Sequence, residues 1–502
     1  MTGSQQSAPP TTVLAGVRLS GPRLGGRSGE HPVDLVIRDG AIADIVAAGD
    51  APAADVRIDA DGGYVLPGLW DHHVHFTQWA QTSRRVDLSS ARSAVEAAAL
   101  VAARAELGAG RIEGALFRDG LWPDAPHRAL LDAVAPGREV VLVSADLHCC
   151  WLNSAALAAV GRSDHPTGLL REEESFAVLK QLDSVPDAVS DVWVSDAADV
   201  AASRGVVGIV DLEMRWNASD WLRRVGNGTT SLRVEFGIYT EHLERAIAED
   251  LSSGVAIAGT DGLIEVGPYK VITDGSLNTR TAYCDHAYPG LDGHRDAHGL
   301  LTVEPERLVD LLRIATGAGL RSAVHAIGDH ANALALDAIE ATGARGTIEH
   351  AQLVRLADLE RFARLGVAAS VQPEHAMDDR DVADRHWAGR TDRAFVLRSL
   401  VDAGVQLLLG SDAPVAPLDP WVSIAAAVGR TRDGREPWHP EQALTVEEAL
   451  AASTRGATDR VGIGAVADLV VVGHDPFTST IDELRTMPVH TTLLGGRATY
   501  GG

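Results

Sequence analysis

The residues in this chain best suited to chemistry are histidines that close apolar runs. The segment Tyr64-Val65-Leu66-Pro67-Gly68-Leu69-Trp70-Asp71-His72-His73-Val74-His75 climbs through apolar side chains and ends in imidazoles. In a strand, residues two apart share a face. His73 and His75 therefore project the same way, about 7 Å apart along the chain. Two neutral imidazole nitrogens placed like this can converge on one metal ion.

The same pattern recurs downstream. Lys270 lies in an apolar run that leads into Thr273-Asp274-Gly275-Ser276. His325 closes Ala323-Val324-His325-Ala326, His350 closes Ile348-Glu349-His350, and Asp412 follows Leu408-Leu409-Gly410-Ser411. Each alone has an ordinary explanation: a strand histidine is usually a hydrogen-bonded core or rim residue, and an Asp after Gly-Ser is usually a cap or turn former. Together, His73, His75, Lys270, His325, His350 and Asp412 make a set of nitrogen and oxygen donors suited to one or two divalent ions. Zinc is the expected metal, and manganese or iron accept the same donors.

Positioning such a set requires several strands whose ends meet. Eight strands are predicted: 64–75, 206–212, 232–239, 269–274, 322–327, 347–352, 367–372 and 405–411. Helical patterns over 305–316, 331–341, 356–365 and 393–403 separate the later ones. Alternating strands and helices favour a parallel sheet. Eight of them give an α/β fold of the (β/α)8 TIM-barrel type, in which polar residues at the C-terminal strand ends form the active site. Short strands flank the Asp39-Gly40 turn near one end of the chain, and others lie at 467–473 and 489–494 near the opposite end. Neither group buries a core alone, so the expectation is one small β-sandwich built from both termini. The predicted organisation is 1–66 and 463–502 for the sandwich and 67–462 for the barrel. An insertion at about 77–200, after the first strand, is expected over the barrel mouth.

Composition narrows the function. Lys plus Arg number 44 and Asp plus Glu 69, a net charge of -25 that repels phosphate backbones and anionic membranes. A small-molecule substrate is the expected partner, with no nucleic acid and no membrane, and a homodimer is expected on base rates. No apolar run approaches a membrane span, and residues 1–12 lack the basic and apolar regions of a signal peptide. The three cysteines, two of them the adjacent Cys149 and Cys150, suit small buried apolar positions in a reducing cytoplasm.

The motifs taken in order resemble the amidohydrolase superfamily, in its YtcJ-like (amidohydrolase-3) branch. The resemblance covers nearly the whole chain. It rests on Pro67 to His75, Asp274-Gly275-Ser276-Leu277 with Arg280-Thr281-Ala282, and His325-Ala326-Ile327-Gly328-Asp329. It continues through Ile348-Glu349-His350-Ala351-Gln352, Gln372-Pro373-Glu374-His375, Gly410 to Val415, and Ala467 to Val471. Asp146-Leu147-His148 with Trp151-Leu152-Asn153-Ser154 matches the branch's insertion motif, whereas Asn278-Thr279 and Ala465-Val466 depart from its pattern.

The resemblance implies a metal-dependent hydrolase acting on a non-peptide C–N bond in an amide, formamide or cyclic amide. Ester or carbamate cleavage, or another metal-assisted reaction, is the alternative, and a non-catalytic barrel is a third. By this likeness His73 and His75 take one metal with Asp412 beside it, while His325 and His350 take the other. Lys270 stands where relatives carry a carbamylated lysine bridging two ions. A metal-activated hydroxide would attack, and Asp412 would carry the proton to the leaving nitrogen. His148, Arg280, Asp329 and His375 are the candidate substrate-binding residues.

Overall fold

The structure, a computed structural model, describes residues 10–20, 31–105, 110–119, 122–144, 149–171, 173–182, 185–456 and 460–501. Eight parallel strands form a barrel, labelled here β1 (Leu69–Val74), β2 (Val206–Asp211), β3 (Arg233–Tyr239), β4 (Ile264–Ile272), β5 (Ser322–Ala326), β6 (Gly346–His350), β7 (Ala368–Val371) and β8 (Leu407–Leu409). Each pairs with the next in sequence order. The first and last meet just beyond their ends: the Asp412 N–H donates to the His73 carbonyl at 2.7 Å and the His75 N–H to the Ala413 carbonyl at 2.9 Å. These two bonds put His73, His75 and Asp412 side by side.

All eight predicted strands are present, with shifted ends. The run from Tyr64 to His75 is two strands: Tyr64–Pro67 joins the terminal sheet, and β1 starts after Gly68. A Cβ at Gly68 would lie 2.4 Å from Val207 Cγ1, so only glycine lets the chain pass there. β4 starts five residues before its predicted edge because Gly267-Pro268 reads as a breaker. Instead, the pairing shifts register between Phe236 and Ile238, and Gly267 packs where a Cβ would lie 2.6 Å from the Phe236 carbonyl oxygen.

Helices Pro305–Gly317, Asp329–Thr342, Leu359–Leu365 and Leu397–Asp402 stand where helical patterns are predicted. One helix that the sequence does not announce, Pro373–His386, opens directly after β7 with Pro373 in its first turn, a position that needs no backbone N–H.

Both chain ends build the other sheet. Its order is Arg497–Tyr500, Val489–Leu494, Leu469–Val472, Tyr64–Pro67, Thr12–Leu19, Val33–Arg38 and Ala41–Ala47, with Val56–Asp59 also paired to Thr12–Leu19. The strand Thr12–Leu19 pairs with Val33–Arg38 and Val56–Asp59 along its first half and with Tyr64–Pro67 at its end, and its register breaks between Leu14 and Val17. Gly16 supplies the positive φ of 69° in that break. Leu14, Leu35 and Ile58 from one terminus pack with Leu469, Val471 and Leu493 from the other. Neither set would bury this much apolar surface alone, as the sandwich expectation requires.

Thr77–Val194 is a separate compact unit. Its five-stranded sheet runs Leu169–Arg171, Cys149–Leu152, Val140–Ser144, Ile112–Phe117, Val86–Asp87. Helix Ala94–Ala105 covers it through Ala94, Ala97 and Val101, against Phe117, Leu142 and Trp151. Cys149, Cys150 and Cys284 are buried and are not joined in disulfides. Among the described residues, no helix is long and apolar enough to cross a membrane.

Candidate metal centre

β1 ends with His73 buried at 1% exposure and His75 just past the strand. Alternation turns His72 the other way, and its Nε2 meets the Thr454 carbonyl at 3.3 Å. Burial lowers the His72 pKa to about 4 and keeps it neutral. Asp71 stabilises the corner: its Oδ1 accepts the His73 N–H at 3.1 Å and the Ser411 N–H at 3.0 Å. Burial pushes the Asp71 carboxyl up to about 6, against these bonds. Gly410 leaves no room for a side chain, since a Cβ would lie 2.7 Å from the His73 nitrogen.

Asp412 adopts a left-handed φ of 57°, uncommon without glycine, and turns its carboxylate onto the imidazoles. Its Oδ1 lies 3.4 Å from both His73 Nε2 and His75 Nε2, and its Oδ2 lies 3.9 Å from His375 Nε2. Burial opposes its charge, but His73, His75 and His350 outweigh that and hold its pKa well below the usual carboxylate range. Burial also disfavours a proton on His75, yet the adjoining carboxylate raises the His75 pKa.

β6 supplies His350 and a group the sequence reading passed over, Glu349. Glu349 accepts the His73 Nδ1–H at 2.7 Å and the Thr347 hydroxyl. Strand alternation puts Thr347 and Glu349 on one face and would send His350 to the other. A φ of 72° at His350, followed by 42° at Ala351, breaks the pleat, and the His350 ring centroid lies 4.8 Å from that of His73. A carboxylate next to a predicted ligand was the only available signal for Glu349. From β7, Gln372 was also missed as an orienting group: its Oε1 accepts the His350 Nδ1–H at 2.8 Å and leaves Nε2 free.

Lys270, on β4, is 2% exposed, and its ammonium nitrogen has no hydrogen-bond partner. Burial lowers its pKa, with Glu349 and Asp412 pulling the other way. The His325 ring on β5 lies 4.4 Å from the His350 ring. Burial, with help from Lys270 and His73, lowers the His325 pKa to about 3. Its Nε2 faces Asp274 Oδ1 at 3.4 Å, and Asp274 is fixed by the N–H groups of Tyr283, Ile327 and Gly328. Burial raises the Asp274 carboxyl to about 7.

Among the described residues, two groups of three have ligand atoms within 4.8 Å of one another: His73, His75 and Asp412, and His350, His375 and Asp412. His325 belongs to neither, although its ring packs against that of His350. Of the predicted substrate-binding residues that are among the described residues, only His375 comes to this cluster. Asp329 is fully buried, accepts the Asp285 N–H at 2.9 Å and lies 3.2 Å from Arg393. Arg280 is exposed, in a turn at φ 59°. His148 lies outside the described residues.

A cation fits these residues. Lys270 Nζ, His325 Nε2 and His375 Nε2 are buried without hydrogen-bond partners, and each such group costs about 1–3 kcal/mol. Imidazoles around a carboxylate are the donor set a divalent metal satisfies.

The comparisons agree. The amidohydrolase family matches residues 57–500. N-substituted formamide deformylase of Arthrobacter pascens is 27% identical over 508 residues, covering 90% of each chain. YtcJ of Bacillus subtilis (strain 168) is 27% identical over 490 residues, 88% of this chain and 90% of that one. The crystal structure of an uncharacterized metal-dependent hydrolase from Pyrococcus horikoshii OT3 superposes with a TM-score of 0.79 at 26% identity, covering 94% of this chain and 99% of the other. A match spanning barrel and terminal sheet alike places this chain in the amidohydrolase family.

Proposed function

We propose that the protein is a metal-dependent hydrolase that cleaves a C–N bond other than a peptide bond, in a small amide, formamide or cyclic amide. The observation that carries this reading is the buried Asp412 carboxylate, with Oδ1 3.4 Å from the Nε2 atoms of both His73 and His75. His73, His75, His350 and Asp412 would hold the ion, zinc by preference, with manganese or iron compatible. When bound, a divalent cation supplies Lewis acidity and lowers the pKa of water towards about 7.

The protein's own groups do the rest. Asp412 accepts the proton of the attacking water and passes it to the leaving nitrogen, which then departs as a neutral amine. Glu349 and Gln372 hold the rings of His73 and His350 with their Nε2 atoms free. Lys270, buried and without a partner, is set up to react as a neutral amine with carbon dioxide: nitrogen bonds to carbon, one proton is released, and an anionic carbamate remains. The name of the formamide deformylase relative supports the formamide end of this substrate range. The acidic surface and the cysteine usage support a cytoplasmic setting without nucleic-acid or membrane partners.

The test is metal analysis of chelator-free protein combined with a panel of N-formyl amines, N-acyl amines, cyclic amides and esters. Amine release that stops on chelation and returns with added divalent metal is expected. Protein that takes up no metal, or that hydrolyses esters alone, would overturn the proposal.

A further inference from the structure

We infer that His375 is itself a ligand of the metal centre, closing a second trio with His350 and Asp412. The inference rests on the metal-dependent reading above and alters its ligand set. The His375 ring is 6% exposed and its Nε2 is buried without a hydrogen-bond partner. That nitrogen stands 3.9 Å from Asp412 Oδ2, the oxygen not turned toward His73 and His75. The three ligand atoms of His350, His375 and Asp412 lie within 4.8 Å of one another, so one cation can reach all three after a small contraction. Two imidazoles and one carboxylate are the donor count of an open divalent site.

The sequence around His375 is built to hold it there. Gln372 immediately precedes the helix Pro373–His386, and its side chain orients His350, so one short segment serves both imidazoles of the trio. Between them, Glu374 is buried and accepts from Arg432 at 2.8 Å and from Arg485 at 3.1 Å, which pins the first helical turn. The Gln352 side-chain amide lies 3.4 Å from His375 Nδ1 and occupies the ring's far side. The His350 and His375 rings are nearly parallel, 12° apart, with centroids separated by 6.3 Å. The His325 ring lies 4.4 Å from the His350 ring, with its Nε2 3.4 Å from Asp274 Oδ1. Asp412 thus faces His73 and His75 with one oxygen and His375 with the other.

The test compares full-length wild-type protein with H375N and H375Q, each loaded with cobalt or zinc. Bound metal per chain, affinity by chelator competition and the visible cobalt spectrum are measured, with the melting of the metal-free proteins as a check on folding. Loss of one metal equivalent, or affinity weakened by more than about 100-fold with a changed cobalt spectrum, is expected. That exceeds the roughly 10- to 100-fold that loss of an orienting partner costs. Unchanged stoichiometry, affinity and spectrum in a folded variant would overturn the ligand role and leave His375 as a substrate-facing donor, while the hydrolase reading stands. Wild-type protein that binds no metal would defeat both.

Discussion

Replacing Glu349 by Gln removes one charge from behind the metal centre and leaves its shape. Glu349 is 2% exposed, its Oε2 takes the His73 Nδ1–H at 2.7 Å, and its other oxygen takes the Thr347 hydroxyl. Gln can keep both contacts, with its carbonyl on His73 and its amide facing Thr347, whose oxygen accepts as readily as it donates. The carboxylate charge is what is lost. A hydrogen bond to a charged group contributes about 1.5–3 kcal/mol and a neutral one about 0.5–1.5. The difference, about 1–1.5 kcal/mol, corresponds to roughly tenfold in an equilibrium constant. Glu349→Ala removes the bond entirely and should reach about 100-fold, the upper end for an orienting partner. The assay is competition of the full chain against a chelator of known affinity, with metal-free melting temperatures to show that each variant folds. If both folded variants hold metal within twofold of wild type, Glu349 is a buried counter-charge and His73 is not a ligand.

Three further outcomes follow. Gly410→Ala should destabilise the fold by about 1–3 kcal/mol and lower bound metal, because the new Cβ meets the His73 backbone at 2.7 Å; an unchanged melting temperature refutes this. Asp412→Asn, assayed at saturating metal, should slow turnover by about 10²–10⁴-fold, and retained activity removes Asp412 from proton transfer. Asp34 tests the terminal sheet. Burial opposes its ionisation, but the N–H groups of Gly16 and Gly49 and the Arg57 guanidinium hold its pKa below the usual value. Its stabilisation is therefore complete above the unfolded pKa of about 4 and is lost as pH falls through the lower folded value. Asp34→Asn should cost stability at pH 7 and little at pH 2–3 in denaturant melts, and an equal loss across that range would refute it.

The barrel and the sandwich built from both termini were legible in the chain because both depend on local signals that repeat. Apolar runs of strand length alternate with helical periodicity, and glycine turns punctuate the two ends. The His73 and His75 pair was legible for the same reason, since alternation is a property of the strand alone. Strand ends were less so. Gly68 and Gly267 read as punctuation, and only close approach to Val207 and Phe236 shows them to be packing positions.

The donor set around the cation is where the sequence stopped and the tertiary structure decided. Alternation forbids adjacent Glu349 and His350 from facing one centre, and only the left-handed turn at His350 overrides it. Asp412 reaches His73 because the closing bonds between β1 and the turn after β8 join residues 339 and 338 positions apart in sequence. His375 Nε2 comes within 3.9 Å of Asp412 because a helix opens directly after β7, and His325 packs on the His350 ring from β5. Composition and periodicity specify which face a side chain occupies within its own element. Distances between elements arise only when the barrel closes, and coordination depends on those distances.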